Sequence, residues 1–283
     1  MNGWVVACIA VIVVAVAYSY MKQISFSIIA SVCCVAVLAI SFAPDTFSSL
    51  AFRPQDLVDP ERAYTVLTSM FSHSQGFMGH IFFNVMVLAL IGFMFEQRIG
   101  TRPFMIIYML AGVCGTLTFA ALRWDAAVAV VGASGAISGI LGAFVRMYPN
   151  ERMMFLFLPF GSIPAWMVIA FFLMLQLVFV AGPTNIAVEA HIGGLVAGML
   201  AAPYVARMPL HRRVKKMISL NALRRLARTA ELKAILRRIE NEEIPDVRSA
   251  WIEEFLSKAR CPHCGAPIKM TRESITCKRG HLL

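Results

Sequence analysis

The 283-residue chain is 59% hydrophobic and only 15% charged, with a mean hydropathy of +0.71. A water-soluble globule carries about 25% charged residues, so this chain is expected to be an integral membrane protein, and a collagen, a disordered tail protein or a small disulfide scaffold is excluded. The net charge of +10 sits at one end: residues 1–206 hold 8 Lys and Arg against 8 Asp and Glu, and residues 207–283 hold 18 against 8.

A membrane helix needs roughly 20 apolar residues. In chain order the predicted spans are Trp4–Tyr20, Ile24–Phe42, Phe77–Phe95, Pro103–Leu122, Ala126–Tyr148, Trp166–Val180 and Ile186–Val205. One helix through the first two would be roughly 60 Å long, twice the bilayer core, so a tight hairpin at Met21–Gln23 is expected. No Lys or Arg precedes the first run, which makes it a poor signal peptide. Lys22, Arg98 with Arg102, Arg146 with Arg152, and the basic tail fall on alternate span ends, which the positive-inside rule places in the cytoplasm. The long loop Ala43–Gly76 and the turns at Arg123–Asp125 and Gly182–Asn185 then face outward. Cys8, Cys33, Cys34 and Cys114 lie in apolar runs and read as small hydrophobes.

Polar side chains inside spans are costly and usually face an internal cavity. Three places stand out. His80 and Asn84, spaced i,i+4, share one helix face near the outer end of their span; by themselves they also fit an interhelical hydrogen-bond clamp. Gly132-Ala133-Ser134-Gly135 puts a serine between small residues at the start of a helix, where free backbone N–H groups and the positive dipole end stand beside a potential nucleophile. Ala190-His191-Ile192-Gly193-Gly194 places His191 at a matching depth on the last span. Gly132, Gly135, Gly139 and Gly142 on one helix, and Ala190, Gly194, Gly198 and Ala201 on the other, form stripes that allow close backbone approach. A serine–histidine hydrogen bond needs that approach. Glu189, two residues from His191, points to another helix face and is rejected as an acid partner.

After the last span, Leu223, Leu226, Leu232, Ile235, Leu236 and Ile239 recur at helical spacing among Arg and Lys. Pro245 breaks the pattern and Val247–Ala259 resumes it. Two readings stay open: a solvated helix pair, or a helix lying on anionic lipid. The final 23 residues carry C-x2-C-x12-C-x3-H as Cys261, Cys264, Cys277 and His281. These soft and borderline ligands suit tetrahedral zinc, with Gly265 and Gly280 at the knuckle turns and His263 a competitor for His281. A cytoplasmic thiol stays reduced, so a structural zinc ribbon is preferred to a disulfide.

The ordered set His-x3-Asn, Gly-x-Ser-Gly and Ala-His-x2-Gly-x3-Gly resembles the rhomboid intramembrane serine proteases over about residues 24–206. The resemblance implies an all-α polytopic membrane protein with a six-helix core, extended here by an extra N-terminal span and a small cytoplasmic zinc ribbon. It implies Ser134 as nucleophile and His191 as base with no acidic third member. Asn84 and His80 would serve the oxyanion beside the Ser134 N–H, and Glu96 would brace helices. No cofactor is expected for catalysis. The sequence departs from the family pattern at Tyr64-Thr65, where many members have Trp-Arg, and at Ser138, often an aromatic that stacks on the histidine. The stretch from His73 to His80 is also slightly longer.

The expected domains are residues 1–23 as the extra span, 24–206 as the protease core, 207–260 as a basic cytoplasmic helical linker and 261–283 as the ribbon. The implied function is intramembrane serine endopeptidase acting on transmembrane helices with small or helix-breaking residues. His80, Asn84, Ser134, Ser138 and His191 would line a wet outward-facing cavity. The alternative is a non-catalytic relative that binds or sorts membrane helices; a transporter would need charged or broken helices near mid-membrane. Partners are transmembrane substrates, the lipid bilayer, and a cytoplasmic protein or nucleic acid at the ribbon; the expected location is the cell membrane, with the tail inside.

Overall fold

Each predicted apolar run contains a helix. The computed structural model describes residues 2–76, 78–125, 128–154, 162–181, 187–208, 220–242, 245–270, 275–279 and 281. The turn at Gly182–Asn185, Gly280 and the starts of three predicted spans (Phe77, Ala126, Ile186) lie outside them. The chain separates into two compact units, Met1–His211 and Arg212–Leu283.

In the first unit, α1 (Gly3–Lys22) and α2 (Phe26–Ser41) pack against each other as a hairpin, the chain turning at Gln23 with a left-handed φ of 52°. The outer loop holds two short helices, α3 (Thr46–Leu50) and α4 (Thr65–Thr68), and a 3-10 turn at Pro54–Leu57. Then come α5 (Met78–Val87), a π-turn at Leu88–Gly92 and α6 (Phe93–Ile99), which form one continuous apolar stretch of 22 residues. α7 (Thr101–Leu122) and α8 (Ser134–Met147) follow. The antiparallel pair β1 (Arg152–Met154) and β2 (Ser162–Pro164) is in register with Arg152 opposite Pro164. α9 (Ala165–Ala181) and α10 (Val188–Val205) close the unit. Four of these stretches are long and apolar enough to cross a membrane, and α2, α8 and α9 supply shorter apolar helices.

Large apolar side chains on the outside, such as Val14 at 65% exposure and Leu200 at 66%, would be untenable in water and suit lipid. Inside, Phe26, Phe95, Phe104, Tyr108 and Phe144 are fully buried. Cross-helix pairs fix which ends lie together. Arg98 meets Glu151 at 2.8 Å at one end; Arg123 meets Glu189 at 2.6 Å at the other. Both pairings agree with the alternation read from the positive residues. Glu96 is buried, accepting from the Phe26 and Ser27 backbone N–H groups at 2.6 and 2.8 Å and from Ser25 Oγ at 2.8 Å. A carboxylate there satisfies free donors at the positive end of α2 and braces it to α6.

The outer loop is anchored without a Trp-Arg pair. Asp56 accepts from Arg62 Nε at 2.7 Å, Thr65 Oγ1 at 2.9 Å and the Arg53 N–H at 3.0 Å, and Tyr64 donates its hydroxyl to the Ser49 carbonyl at 3.0 Å. Burial alone pushes the Asp56 carboxyl up. The bonds from Arg62, the Arg53 amide and Thr65, with the Arg62 charge, outweigh it and hold the group below its ordinary range.

The clearest departure from the predicted spans is α8, which begins at Ser134 rather than Ala126. Val130 instead exchanges two backbone bonds with Phe52, at 2.7 and 3.1 Å, and the Gly132 N–H donates to the Ser69 carbonyl at 2.9 Å. The outer loop thus takes the backbone groups that an earlier helix start would need, an outcome that hydropathy does not register.

In the second unit, α11 (Leu220–Leu226), α12 (Ala230–Asn241) and α13 (Pro245–Lys258) precede the antiparallel hairpin β3 (Ile268–Met270) and β4 (Ile275–Cys277). Thr229 caps α12 by accepting from the Leu232 N–H. Pro245 opens α13, a first-turn position where its missing N–H costs nothing. Leu223, Leu226, Leu232, Ile235, Leu236 and Ile239 are all buried in one cluster with Phe255 and Leu256. The apolar stripe is therefore spent on packing within the unit, which removes the face that the lipid-lying reading required.

Candidate active site

α7, α8 and α10 form the tightest packing of the membrane unit. A β-carbon on Gly194 or Gly198 would run into the carbonyl oxygens of Gly135 and Gly139 respectively, and one on Gly115 would lie 2.5 Å from the Ala190 carbonyl. The stripes seen in the sequence do bring the two backbones into direct contact. That contact delivers Ser134, first residue of α8, to His191 on α10: Ser134 Oγ lies 2.8 Å from His191 Nε2.

Gly132 makes the approach to Ser134 possible. Its φ of 124° is closed to ordinary L side chains, and a β-carbon there would stand 2.7 Å from His80 Nε2 and 3.5 Å from Ser134 Oγ. His80, Gly132 and Ser134 therefore lie side by side. At the head of α8 the first backbone N–H groups have no intrahelical acceptor. Asn84 is buried and donates through Nδ2 to the His80 carbonyl at 2.8 Å, which uses one of its two amide hydrogens. Ser138 donates to the Ser134 carbonyl at 2.7 Å. His73 packs its ring 5.2 Å from that of His80; burial, then His80, pushes its imidazole down to about 4, leaving it neutral.

Two neighbours of His191 went unnoticed in the sequence. Gln176 Oε1 lies 2.9 Å from His191 Nδ1, and the Phe172 ring sits 6.2 Å from the imidazole, tilted by 47°. Both come from α9, one turn apart. The signal was available for Gln176, a lone amide in an otherwise apolar span. Glu189 is engaged with Arg123, in keeping with its rejection as an acid partner.

In the second unit, donor atoms of Cys261, Cys264, Cys277 and His281 all lie within 4.8 Å of one another. Cys264 and Cys277 sulfurs are 3.7 Å apart; His281 Nδ1 is 3.4 Å from Cys277 and 3.7 Å from Cys261. A tetrahedron with Zn–S near 2.3 Å has edges of about 3.8 Å, slightly shorter to nitrogen, so the donor set fits zinc. Gly265 takes a φ of 71° in the first knuckle, and its N–H donates to the Cys261 carbonyl at 2.8 Å. Burial raises the Cys277 thiol, but hydrogen bonds from the His281 and Arg279 backbone, then Cys264 and His281, bring it down to about 6, favouring the ligating thiolate. His263 stays outside the cluster, its ring packed 5.6 Å from that of His281.

A rhomboid-domain family model matches residues 60–208, slightly over half the chain. Rhomboid protease GluP of Bacillus subtilis is 30% identical over 159 residues, covering 56% of this chain and 29% of its own length. Rhomboid protein 1, mitochondrial, of Saccharomyces cerevisiae is 26% identical over 159 residues, covering 54% of this chain and 45% of its own length. The chain thus spans less than half the length of either relative, and residues 60–208, matched by the family model, contain the glycine-paired helices, His80, Asn84, Ser134 and His191. With the ordered motifs and the helical membrane fold, these matches establish that the chain belongs to the rhomboid family.

Proposed function

We propose that the chain is an intramembrane serine endopeptidase in which Ser134 is the nucleophile and His191 the general base. The observation that carries this reading is the 2.8 Å contact between Ser134 Oγ and His191 Nε2 across the α8–α10 crossing. His191 takes the Oγ proton as Ser134 attacks the scissile carbonyl carbon, and the tetrahedral oxyanion forms beside the first N–H groups of α8. Asn84, with one amide hydrogen to spare, and His80 are the further oxyanion donors. Collapse of the intermediate passes the proton from His191 to the leaving amine, and water then hydrolyses the Ser134 ester by the same route.

The depth of α8 supports cleavage within the bilayer. Its 14 residues span about 21 Å, against a hydrocarbon core of roughly 30 Å. With Arg146 near the cytoplasmic interface, Ser134 lies inside the apolar layer, open to the outer side. Substrates are transmembrane helices that unwind locally, because a helical peptide bond is shielded. The N-terminal span is an addition to a core running from about residue 24 to 206. The tail is cytoplasmic, with one structural zinc on Cys261, Cys264, Cys277 and His281 and a docking role toward a protein or nucleic acid.

The test is a fluorophosphonate probe on purified protein, with the adduct located by mass spectrometry and cleavage of a transmembrane substrate followed in parallel. Labelling at Ser134, with turnover abolished in both Ser134→Ala and His191→Ala while each remains folded, is the expected result. Near-normal turnover by either variant would sink the assignment. Binding of a transmembrane helix without label or cleavage would favour the non-catalytic sorting protein.

A further inference from the structure

We propose that Gln176 is a positioning residue for His191, its buried carboxamide oxygen accepting the Nδ1 proton so that Nε2 stays free to take the proton of Ser134. This rests on the reading of Ser134 and His191 as nucleophile and base. A neutral imidazole carries one proton on either of two nitrogens, and only the Nδ1–H form leaves a lone pair facing Ser134. Gln176 Oε1 lies 2.9 Å from Nδ1, and Ser134 Oγ lies 2.8 Å from Nε2. An amide oxygen accepts and never donates, so this contact selects the form that can act as a base.

The local sequence argues that the contact is functional. Apart from Trp166, Gln176 is the one residue of the 17-residue α9 with a hydrogen-bonding side-chain group, and it is 4% exposed. Burying an amide in an apolar helix costs free energy unless it is paired, and Leu or Met would fill the same space without that cost. One turn earlier, Phe172 lays its ring against the same imidazole. Two side chains on one face of α9 are thus directed at one ring. The titratable groups around His191 are His80 on α5 and Glu189 on its own helix. The Glu189 carboxylate is held by Arg123 at the end of α7, 2.6 Å away, which leaves the neutral amide as the Nδ1 partner.

The experiment compares Gln176→Met and Gln176→Glu with the full-length wild-type protein in detergent, Ser134→Ala serving as control. Gln176→Met keeps the volume and removes the acceptor; kcat should fall about tenfold with KM nearly unchanged. Gln176→Glu sets a carboxylate against Nδ1–H and stabilises the imidazolium. Because the base must be neutral, the acid limb of the kcat/KM profile should move to higher pH while plateau activity persists. Wild-type kcat in Gln176→Met overturns the proposal, and so does an unmoved acid limb in Gln176→Glu. Should the Met variant fail to fold, the Glu profile decides alone. A Ser134→Ala protein that still cleaves overturns the underlying dyad as well, whereas an inactive Ser134→Ala beside a fully active Gln176→Met overturns the role of Gln176 alone.

Discussion

Ser134 and His191 stand 57 positions apart and meet because α8 and α10 press glycine against backbone, whereas Cys261 and His281 stand 20 apart and converge around two short turns. The Ser134–His191 contact is therefore held by packing along whole helices, and its integrity depends on contacts far from the two side chains. The tail cluster has almost no helix or core of its own, and on the proposed reading its geometry depends on the metal that its donors would bind. With the proposed zinc in place, the same chain keeps one site by van der Waals contact in an apolar layer and the other by ligand bonds, and the two should fail under different insults.

Metal removal separates them most sharply. Structural zinc supplies on the order of 10 kcal/mol to modules of this kind, so chelation, or Cys261→Ser/Cys264→Ser, should unfold residues after about Arg260. Elemental analysis should give about one zinc per wild-type chain and none in the double variant, with cleavage in detergent unchanged. Loss of cleavage on gentle chelation would break the independence of the two sites. Next comes Asn84→Ala, which removes a proposed oxyanion donor while the α8 backbone donors remain. Its expected cost is ~2.7–4 kcal/mol in the transition state, read as a fall in kcat, with zinc content untouched; an unchanged rate would reduce Asn84 to a helix clamp.

Gly198→Ala attacks the packing itself. The new methyl meets the Gly139 carbonyl, a backbone atom that cannot swing aside, so a loss of about 3 kcal/mol is expected. Thermal unfolding of the membrane unit should report it while the tail keeps its metal. The smallest effect belongs to Asp56→Asn in the outer loop, about 1 kcal/mol. The folded pKa of Asp56 is depressed, so its contribution is complete above the ordinary aspartate range and fades as pH falls through the lower folded value. The difference in thermal midpoint between wild type and Asp56→Asn should accordingly be largest near neutrality and vanish in strong acid.

The spans, the glycine stripes and the metal spacing were legible because each is a periodic or local property of the chain. Hydropathy marks an apolar run wherever it lies, and C-x2-C needs only one turn to converge. The start of α8 was not legible, because Val130 and Gly132 give their backbone groups to Phe52 and Ser69, more than 60 positions earlier. Gln176 was missed for a different reason. Its polarity was visible, but its partner lies on another helix, and nothing between residues 176 and 191 announces that the two rows face each other. The same holds for the loop anchor, where Asp56, Arg62 and Thr65 replace a familiar dipeptide by an arrangement only the folded loop reveals.

The brevity of α8 has a consequence for how water reaches Ser134. A helix of about 21 Å cannot reach both faces of an ordinary bilayer, and its residues from Ala136 to Val145 are buried among neighbouring helices, so protein rather than lipid surrounds it. Its neighbour α7, at 22 residues, spans about 33 Å. The distance from bulk water to Ser134 is then set by the difference in length between packed helices, a property of the chain rather than of the host membrane. Reconstituted in bilayers of different hydrocarbon thickness, the molecule should keep Ser134 at the same depth below the end of α7.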